Sequence, residues 1–213
     1  ANFETVDEVE AALANSLIIE KPFNEHFPVS YLHWIIGDAT RSIVVESRAD
    51  GLHVFDNPVD VLANHPNFEW HLTNLRTYIT ATPDMPAPAT WGRAELAPFG
   101  AGAGMRGIPG DVYSPSRFVK VAYLNANYPI KSGESDNVVR MFHTLSNVSM
   151  PEGASAMSNG EFEKTVYTSC FSGATGRYYF NTYDDFAIRY ASLEDAKRAD
   201  NNALIECKLK RFE

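Results

Sequence analysis

Between Leu32 and Phe55, three short β-rich runs follow one another too closely for parallel crossovers: Leu32-His33-Trp34-Ile35-Ile36, Ser42-Ile43-Val44-Val45-Glu46 and Leu52-His53-Val54-Phe55. Parallel pairing would need a connection of a dozen or more residues, whereas Gly, Asp and charged turns here predict an antiparallel meander. Strand signals return late in the chain, at Val166 to Phe171, Tyr178 to Tyr183, Phe186 to Tyr190 and Leu204 to Leu209. The stretch between the two strand groups is helical in its apolar spacing. Asn67 can cap a helix carrying Phe68, Leu72, Leu75 and Ile79. Ser114-Pro115 sets a capping hydroxyl before a proline at the first helical position, ahead of Phe118, Val121 and Ala122. Asp136 starts a further helix, with Val138, Phe142 and Leu145 facing inward. At the front, Thr5-Val6-Asp7-Glu8 has capping-box form and predicts a helix from about Val6 to Asn15. Leu17 to Pro28 reads as a loop, and so does the Pro- and Gly-rich stretch from Thr80 to Gly110. Strands, helices and strands again predict the α+β class, antiparallel sheets layered with helices, and the length predicts one domain or one large piece of one over residues 1–213.

Charge and composition narrow the possible partners. A net charge of −9 leaves too few clustered Lys and Arg to neutralise a phosphate backbone, so no nucleic acid partner is expected. No apolar run approaches the roughly 20 residues that span a bilayer, and no basic-then-apolar leader opens the sequence. No membrane partner is therefore expected, and a cytoplasmic setting is. Cys170 and Cys207 are too few for a disulfide framework and are read as reduced. The histidines, His53, His65 and His71 among them, show no His-Glu-x-x-His or similar ligand spacing, so neither a metal nor another cofactor is expected. The first residue is Ala1 rather than an initiator Met, and a helix follows within a few positions, as in a fragment or a processed chain.

Several local patterns carry a chemical reading beside a structural one. Gly102-Ala103-Gly104-Met105-Arg106-Gly107 matches the dinucleotide pattern by letter, but breakers flank it on both sides, so a flexible or strained loop is expected. Asn147-Val148-Ser149 matches a glycosylation sequon at a helix end, where it is expected to be chance. Cys170 falls in an alternating strand, where a thiol behaves as a small hydrophobe, and nothing around it supplies a base. Asn64 ends the apolar run Val61-Leu62-Ala63 just before a proline-containing turn, a common place for a turn-forming Asn. Arg117 lies on the first turn of a helix, the unfavourable end for a cation, which points to a carboxylate, thiolate or ligand partner unless it is a plain surface arginine.

Four segments, taken together and in order, resemble the choloylglycine hydrolases, the amidase family of bile salt hydrolases and penicillin V acylases. They are Leu32-His33-Trp34-Ile35-Ile36-Gly37-Asp38 with Ser42-Ile43-Val44-Val45-Glu46; Val54-Phe55-Asp56-Asn57-Pro58 through Leu62-Ala63-Asn64-His65-Pro66 and Trp70-His71-Leu72-Thr73-Asn74-Leu75; Gly107-Ile108-Pro109-Gly110-Asp111 through Ser116-Arg117-Phe118; and Tyr167-Thr168-Ser169-Cys170 with Tyr178-Tyr179 and Thr182-Tyr183-Asp184. The resemblance covers essentially the whole chain and matches the C-terminal two-thirds of the family's sequence.

The resemblance implies the αββα sandwich of the N-terminal nucleophile hydrolases, here incomplete. It also implies a mechanism in which an N-terminal cysteine attacks an amide carbonyl with its own α-amine as base. The family's Leu-Thr-Asn asparagine falls on Asn64, with Ala63 in place of Thr, as an oxyanion donor, and its Ser-Arg-Phe arginine falls on Arg117, beside the thiolate. Both are catalytic by this correspondence. The nucleophile, the Asp that holds its amine and a second oxyanion Asn belong to roughly a hundred residues of the family's sequence that have no counterpart here. Neither Cys170 nor Cys207 is expected to replace that cysteine, so the chain alone is expected to be inactive. Pro22-Phe23-Asn24-Glu25-His26-Phe27-Pro28 matches the family's apolar substrate loop, with Phe23 and Phe27 as substrate-binding residues against a steroid face, or simply packed under the loop. The expected substrate is a glycine- or taurine-conjugated bile acid. A penicillin V acylase and a non-catalytic ligand-binding remnant are the alternatives. The family further implies a bacterial, cytoplasmic homo-oligomer, tetrameric by tendency.

Overall fold

The computed structural model describes residues 2–29, 32–197 and 210–211, which divide into two compact units, 1–127 and 128–213. In the first unit, strands β1 (His33–Gly37), β2 (Ser42–Arg48) and β3 (Gly51–Asp56) form an antiparallel sheet in the order β1-β2-β3. Trp34 stands opposite Val45, and Val44 opposite Phe55. Residues Ser42 to Glu46 are all buried, because β2 is covered on both faces. Side chains alternate along a strand, so Ile43 and Val45 pack with Val6 of helix α1 (Val6–Leu13), while Val44 packs with Phe68 and Phe118 on the other side. Burying each such side chain contributes about 1.5–3 kcal/mol.

Helix α1 carries the expected capping box, Thr5 accepting from Glu8 and the Glu8 carboxylate accepting from the Thr5 amide. Asp38, just beyond β1, accepts hydrogen bonds from the amides of Val6, Thr40 and Arg41 and from the Thr40 hydroxyl, which pins α1 to the sheet. These bonds, the Thr40 hydroxyl foremost, hold its carboxyl far below the usual carboxylate range. Helix α2 (Phe68–Leu75) starts where expected, with the Asn67 side chain accepting from the Trp70 amide at 3.1 Å. It ends four residues short of Ile79, in a 3-10 turn over Arg76–Tyr78, and Ile79 is left exposed. Segment 80–110 is less irregular than expected. It holds a hairpin of β4 (Ala89–Trp91) and β5 (Ala94–Leu96), turned at Gly92, and a 3-10 turn at Ala103–Met105. Gly104 is required there, since a Cβ would lie 2.3 Å from the Asp84 carbonyl oxygen. The glycine pattern is thus a tight crossing of two loop strands, with no strand leading in and no full helix leading out.

Helix α3 (Ser114–Asn127) corrects the expected cap by one position. The Arg117 amide donates to the Tyr113 carbonyl at 2.9 Å, so Ser114 is already inside the helix, its hydroxyl buried without a partner among the described residues. Asp111 braces the turn that leads into the helix, accepting from the Tyr113 amide and from the Ser116 hydroxyl, each at 2.9 Å.

In the second unit, helix α4 (Glu134–Ser146) begins two residues before Asp136, entered through Gly133 at φ 103° with no capping side chain. A short ladder joins β6 (Ser155–Ala156) to β7 (Phe162–Glu163). The main sheet pairs β8 (Tyr167–Ser172), β9 (Arg177–Thr182), β10 (Arg189–Ser192) and β11 (Lys210–Arg211) antiparallel, in the order β11-β10-β9-β8. A short helix, α5 (Leu193–Lys197), follows β10. Val138 and Phe142 of α4 pack on Tyr179, with Cys170 beside them. β10 is shorter than expected, and Phe186 lies exposed ahead of it. The expected strand from Leu204 to Leu209 lies outside the described residues.

Candidate active site

Three carbonyls and one aspartate shape the path from β3 to Asn64. The Asn57 amide donates to the Ser42 carbonyl at 3.0 Å, and the buried Asn57 side chain donates to the Val61 carbonyl at 3.3 Å. Asp60, at φ 54° in the left-handed region, accepts from the Ser42 hydroxyl at 2.6 Å, which ties the turn to the buried strand β2. Asn125 of α3 donates to the Val59 carbonyl at 3.1 Å. The chain then bends through Asn64, His65 and Pro66 and enters α2. The amide of Phe68, at the start of that helix, donates to the buried Glu46 carboxylate at 2.8 Å. Glu46 also accepts from both Nε and Nη2 of Arg48, at 3.0 and 2.7 Å, so its charge is paired and its oxygens are occupied.

Asn64 and Arg117 stand 53 positions apart in sequence and meet in space. Arg117 Nη2 donates to Asn64 Oδ1 at 2.7 Å, and Arg117 Nε donates to the Val112 carbonyl at 2.9 Å. The guanidinium stays at the start of its own helix, where two of its donors are committed to oxygen acceptors that offset the unfavourable helix-end field. An arginine only donates, so the bond also settles the orientation of the amide: Oδ1 faces Arg117 and Nδ2 faces away. Among the described residues nothing accepts from Asn64 Nδ2, which leaves two N–H bonds available to a ligand oxygen. No described residue occupies Arg117 Nη1 either. The Asn64 carbonyl is held from the other side by His71 Nε2 at 2.8 Å.

Asn64 is among the residues that line a cavity of about 580 Å³. Its apolar wall is built from Ile18, Ile19, Val29, Leu32 and Trp34, and its polar wall from His33, Glu46, Arg48 and Asn67. Burial lowers the pKa of His33, against the opposing pull of Glu46, so the ring is held toward its neutral form. Phe23 and Phe27 are not in this lining. They stand 89% and 64% exposed, in a turn closed by an Asn24–Phe27 bridge. From the same loop, Ile18 and Ile19 reach the cavity instead; their signal in the sequence is the apolar run Leu17-Ile18-Ile19, which Pro22 marks as loop without saying which way it faces. His71 is likewise a site residue that no sequence pattern singles out.

Cys170 lies in the second unit against Val138, Phe142 and Tyr179. Burial, and secondarily the charge of Glu134, pushes its thiol up to about 11. Cys207 lies outside the described residues. At neutral pH Cys170 is a protonated, packed side chain, and its peptide should alkylate with iodoacetamide at pH 7.5 about a hundredfold more slowly in the folded protein than in urea, where the thiol returns to about 8.5. Equal labelling in the two states, read by mass spectrometry of the Cys170 peptide, would contradict this. Among the described residues no group of three or more His, Cys, Asp or Glu side chains could hold a metal ion, and no helix is long and apolar enough to cross a membrane.

An asparagine whose amide donor has no partner among the described residues, beside a fixed arginine and lining a cavity with one apolar and one polar wall, is an arrangement suited to stabilising an oxyanion on a carbonyl substrate. The family model of the linear amide C–N hydrolases, choloylglycine hydrolase family, matches residues 1–206. The chain belongs to that family. It is 52% identical over 196 residues to the bile salt hydrolase/transferase of Bifidobacterium longum subsp. longum, covering 91% of this chain and 61% of that protein. It is 44% identical over 195 residues to the conjugated bile acid hydrolase of Lactobacillus acidophilus, with 91% and 62% covered. The chain thus spans about three-fifths of the length of these relatives. Among solved structures, conjugated bile acid hydrolase from Clostridium perfringens superposes with a TM-score of 0.85 at 36% identity, covering 100% of this chain and 63% of that one. Penicillin V acylase from Agrobacterium tumefaciens gives a TM-score of 0.65 at 18% identity, covering 91% and 53%, which shows a shared fold. The fold is the α+β, antiparallel-sheet fold of the N-terminal nucleophile hydrolases.

Proposed function

We propose that the chain is the part of a bile salt hydrolase that carries the oxyanion donor Asn64 and the site arginine Arg117, in an enzyme that cleaves the amide of glycine- or taurine-conjugated bile acids. The nucleophile in this reading is an N-terminal cysteine outside the 213 residues, and the chain by itself is inactive. The thiol sulfur attacks the amide carbonyl carbon, and its proton passes to the α-amine of the same residue. Asn64 Nδ2–H donates to the carbonyl oxygen as it becomes an oxyanion. The C–N bond breaks, the amine leaves with the proton, and water hydrolyses the thioester to free bile acid. Arg117 holds Asn64 through Nη2 and presents Nη1 toward the thiolate or the carboxylate or sulfonate of the conjugate. The cavity wall of Ile18, Ile19, Leu32 and Trp34 is suited to a steroid nucleus, with Phe23 and Phe27 closing over it when the loop folds in. Residues 1–213 are read as a continuous part of one domain, in a subunit of a homo-oligomer.

The observation that carries this reading is the 2.7 Å bond from Arg117 to Asn64, which takes the amide oxygen and leaves the amide N–H group without a partner among the described residues, on a residue that lines that cavity. Its support in sequence is the resemblance to proteins named for bile salt hydrolysis at 52% and 44% identity. The test is a full-length form, made by joining this chain to the missing amino-terminal part of the Bifidobacterium relative. It is assayed for amine release from glycocholate, taurocholate and penicillin V, with the chain alone as control. Turnover of a bile salt by the joined form only is expected. A higher kcat/KM for penicillin V would move the reading to the acylase branch, and turnover by the chain alone would overturn the nucleophile assignment.

A further inference from the structure

His71 is wholly buried on α2, yet it is a polar ring with one nitrogen unpartnered. It lies flat on Phe118, with centroids 4.5 Å apart and planes at 15°, and it meets Trp70 edge-on at 5.7 Å. Its Nε2 is 2.8 Å from the carbonyl oxygen of Asn64. A carbonyl only accepts, so Nε2 carries the proton; Nδ1 has no partner among the described residues. A phenyl ring would fill the same slot against Phe118 without an orphaned nitrogen. What the imidazole adds is the donor to Asn64. Phe118, on which the ring rests, directly follows Arg117, so the two groups that grip Asn64 are braced by one aromatic contact.

We propose that His71 is a positioning residue, which fixes the Asn64 peptide through its carbonyl while Arg117 fixes the side-chain amide, so that Nδ2 is held from both ends toward the substrate oxygen. This rests on the donor role proposed for Asn64. An oxyanion donor works only if its position is set before the charge develops, because reorienting it during the reaction would consume the stabilisation it provides. Asn64 is itself exposed and sits in a segment without regular structure, so that precision has to come from neighbours.

The test uses the full-length form and reads kcat and KM for glycocholate in His71→Phe, His71→Gln, His71→Asn and Asn64→Ala, with His71→Phe also placed in the Asn64→Ala background. Glutamine places an amide N–H where Nε2 is, and asparagine places one where Nδ1 is. His71→Phe is expected to lower kcat about tenfold with KM changed less than twofold, His71→Gln to restore most of the loss, and His71→Asn to restore little. In the Asn64→Ala background, His71→Phe should cost nothing further, since there is no longer a donor to orient. If Asn64→Ala slows turnover and His71→Phe does not, the positioning role is wrong while the donor role stands. The positioning role is equally wrong if the His71→Phe loss adds in full to that of Asn64→Ala. If Asn64→Ala keeps full turnover, the donor role itself fails. Should His71→Phe not fold, the contrast between glutamine and asparagine decides, and equal activity of the two overturns the proposal.

Discussion

Replacing Asn64 by alanine in the full-length form is expected to lower kcat for glycocholate by about 10² to 10³, roughly 2.7–4 kcal/mol of transition-state stabilisation, with KM within a few fold of the parent. The asymmetry follows from where the interaction is made. A neutral carbonyl oxygen accepts weakly from the Nδ2–H group, and the same oxygen accepts strongly once it bears charge, so the bond deepens between ground state and transition state. Little stability should be lost with it. Asn64 is exposed, its side chain bonds only Arg117 among the described residues, and the carbonyl taken by His71 is backbone that alanine retains. A normal melting curve with a collapsed kcat is therefore the expected pair of results. A variant with raised KM and parental kcat would show that Asn64 binds substrate rather than the oxyanion.

Arg117→Ala is expected to cost comparably and to move the activity profile toward alkaline pH by about one unit or more. Two separate effects combine in this variant. Loss of Nη2 frees the Asn64 amide to rotate, and loss of the positive charge raises the pKa of a nearby thiol, because a cation within about 4–6 Å favours the thiolate. Above the raised pKa the thiolate is restored, so part of the activity should return as pH rises, while the part lost through Asn64 should not. Lysine should rescue poorly. The site asks for a fork that reaches the Val112 carbonyl and Asn64 Oδ1 together, at 2.9 and 2.7 Å, and an ammonium on a flexible stem cannot hold both directions at once. An Arg117→Ala enzyme with an unshifted profile would remove the thiolate from the arginine's role, and an active Arg117→Lys enzyme would reduce that role to charge alone.

The elements that place this site are legible where their causes are local. The capping box of Thr5 and Glu8, the Asn67 cap and the three runs between Leu32 and Phe55 all depend on neighbours a few positions away, and each is found close to its expected bounds. The differences have local explanations too. Asp136 looks like the start of α4 because a side-chain cap is the usual signal, and the helix instead begins after Gly133, whose conformation leaves no side-chain signature. The hairpin at Ala89–Leu96 is hidden by the surrounding Pro and Gly, which mark turns but do not say what they connect.

Sequence by itself determined the chemistry available to this protein: an asparagine with an amide to offer, an arginine at a helix end where its charge is unwelcome, a run of β-branched residues long enough to be buried on both faces, and motifs that mark the family. The misplaced charge of Arg117 pointed to a partner without separating that reading from a plain surface arginine, because the partner lies 53 residues away and the contact exists only once α3 is packed against the Asn57–Asn67 segment. His71 was invisible for a different reason. Its partner is a backbone carbonyl, a group every residue carries, so no spacing or residue type announces the bond. The cavity wall follows the same logic. Phe23 and Phe27 have the larger apolar area, yet Ile18 and Ile19 line the space, because which side chains of a loop face inward is set by the path of its backbone across the sheet, and that path is decided by tertiary packing.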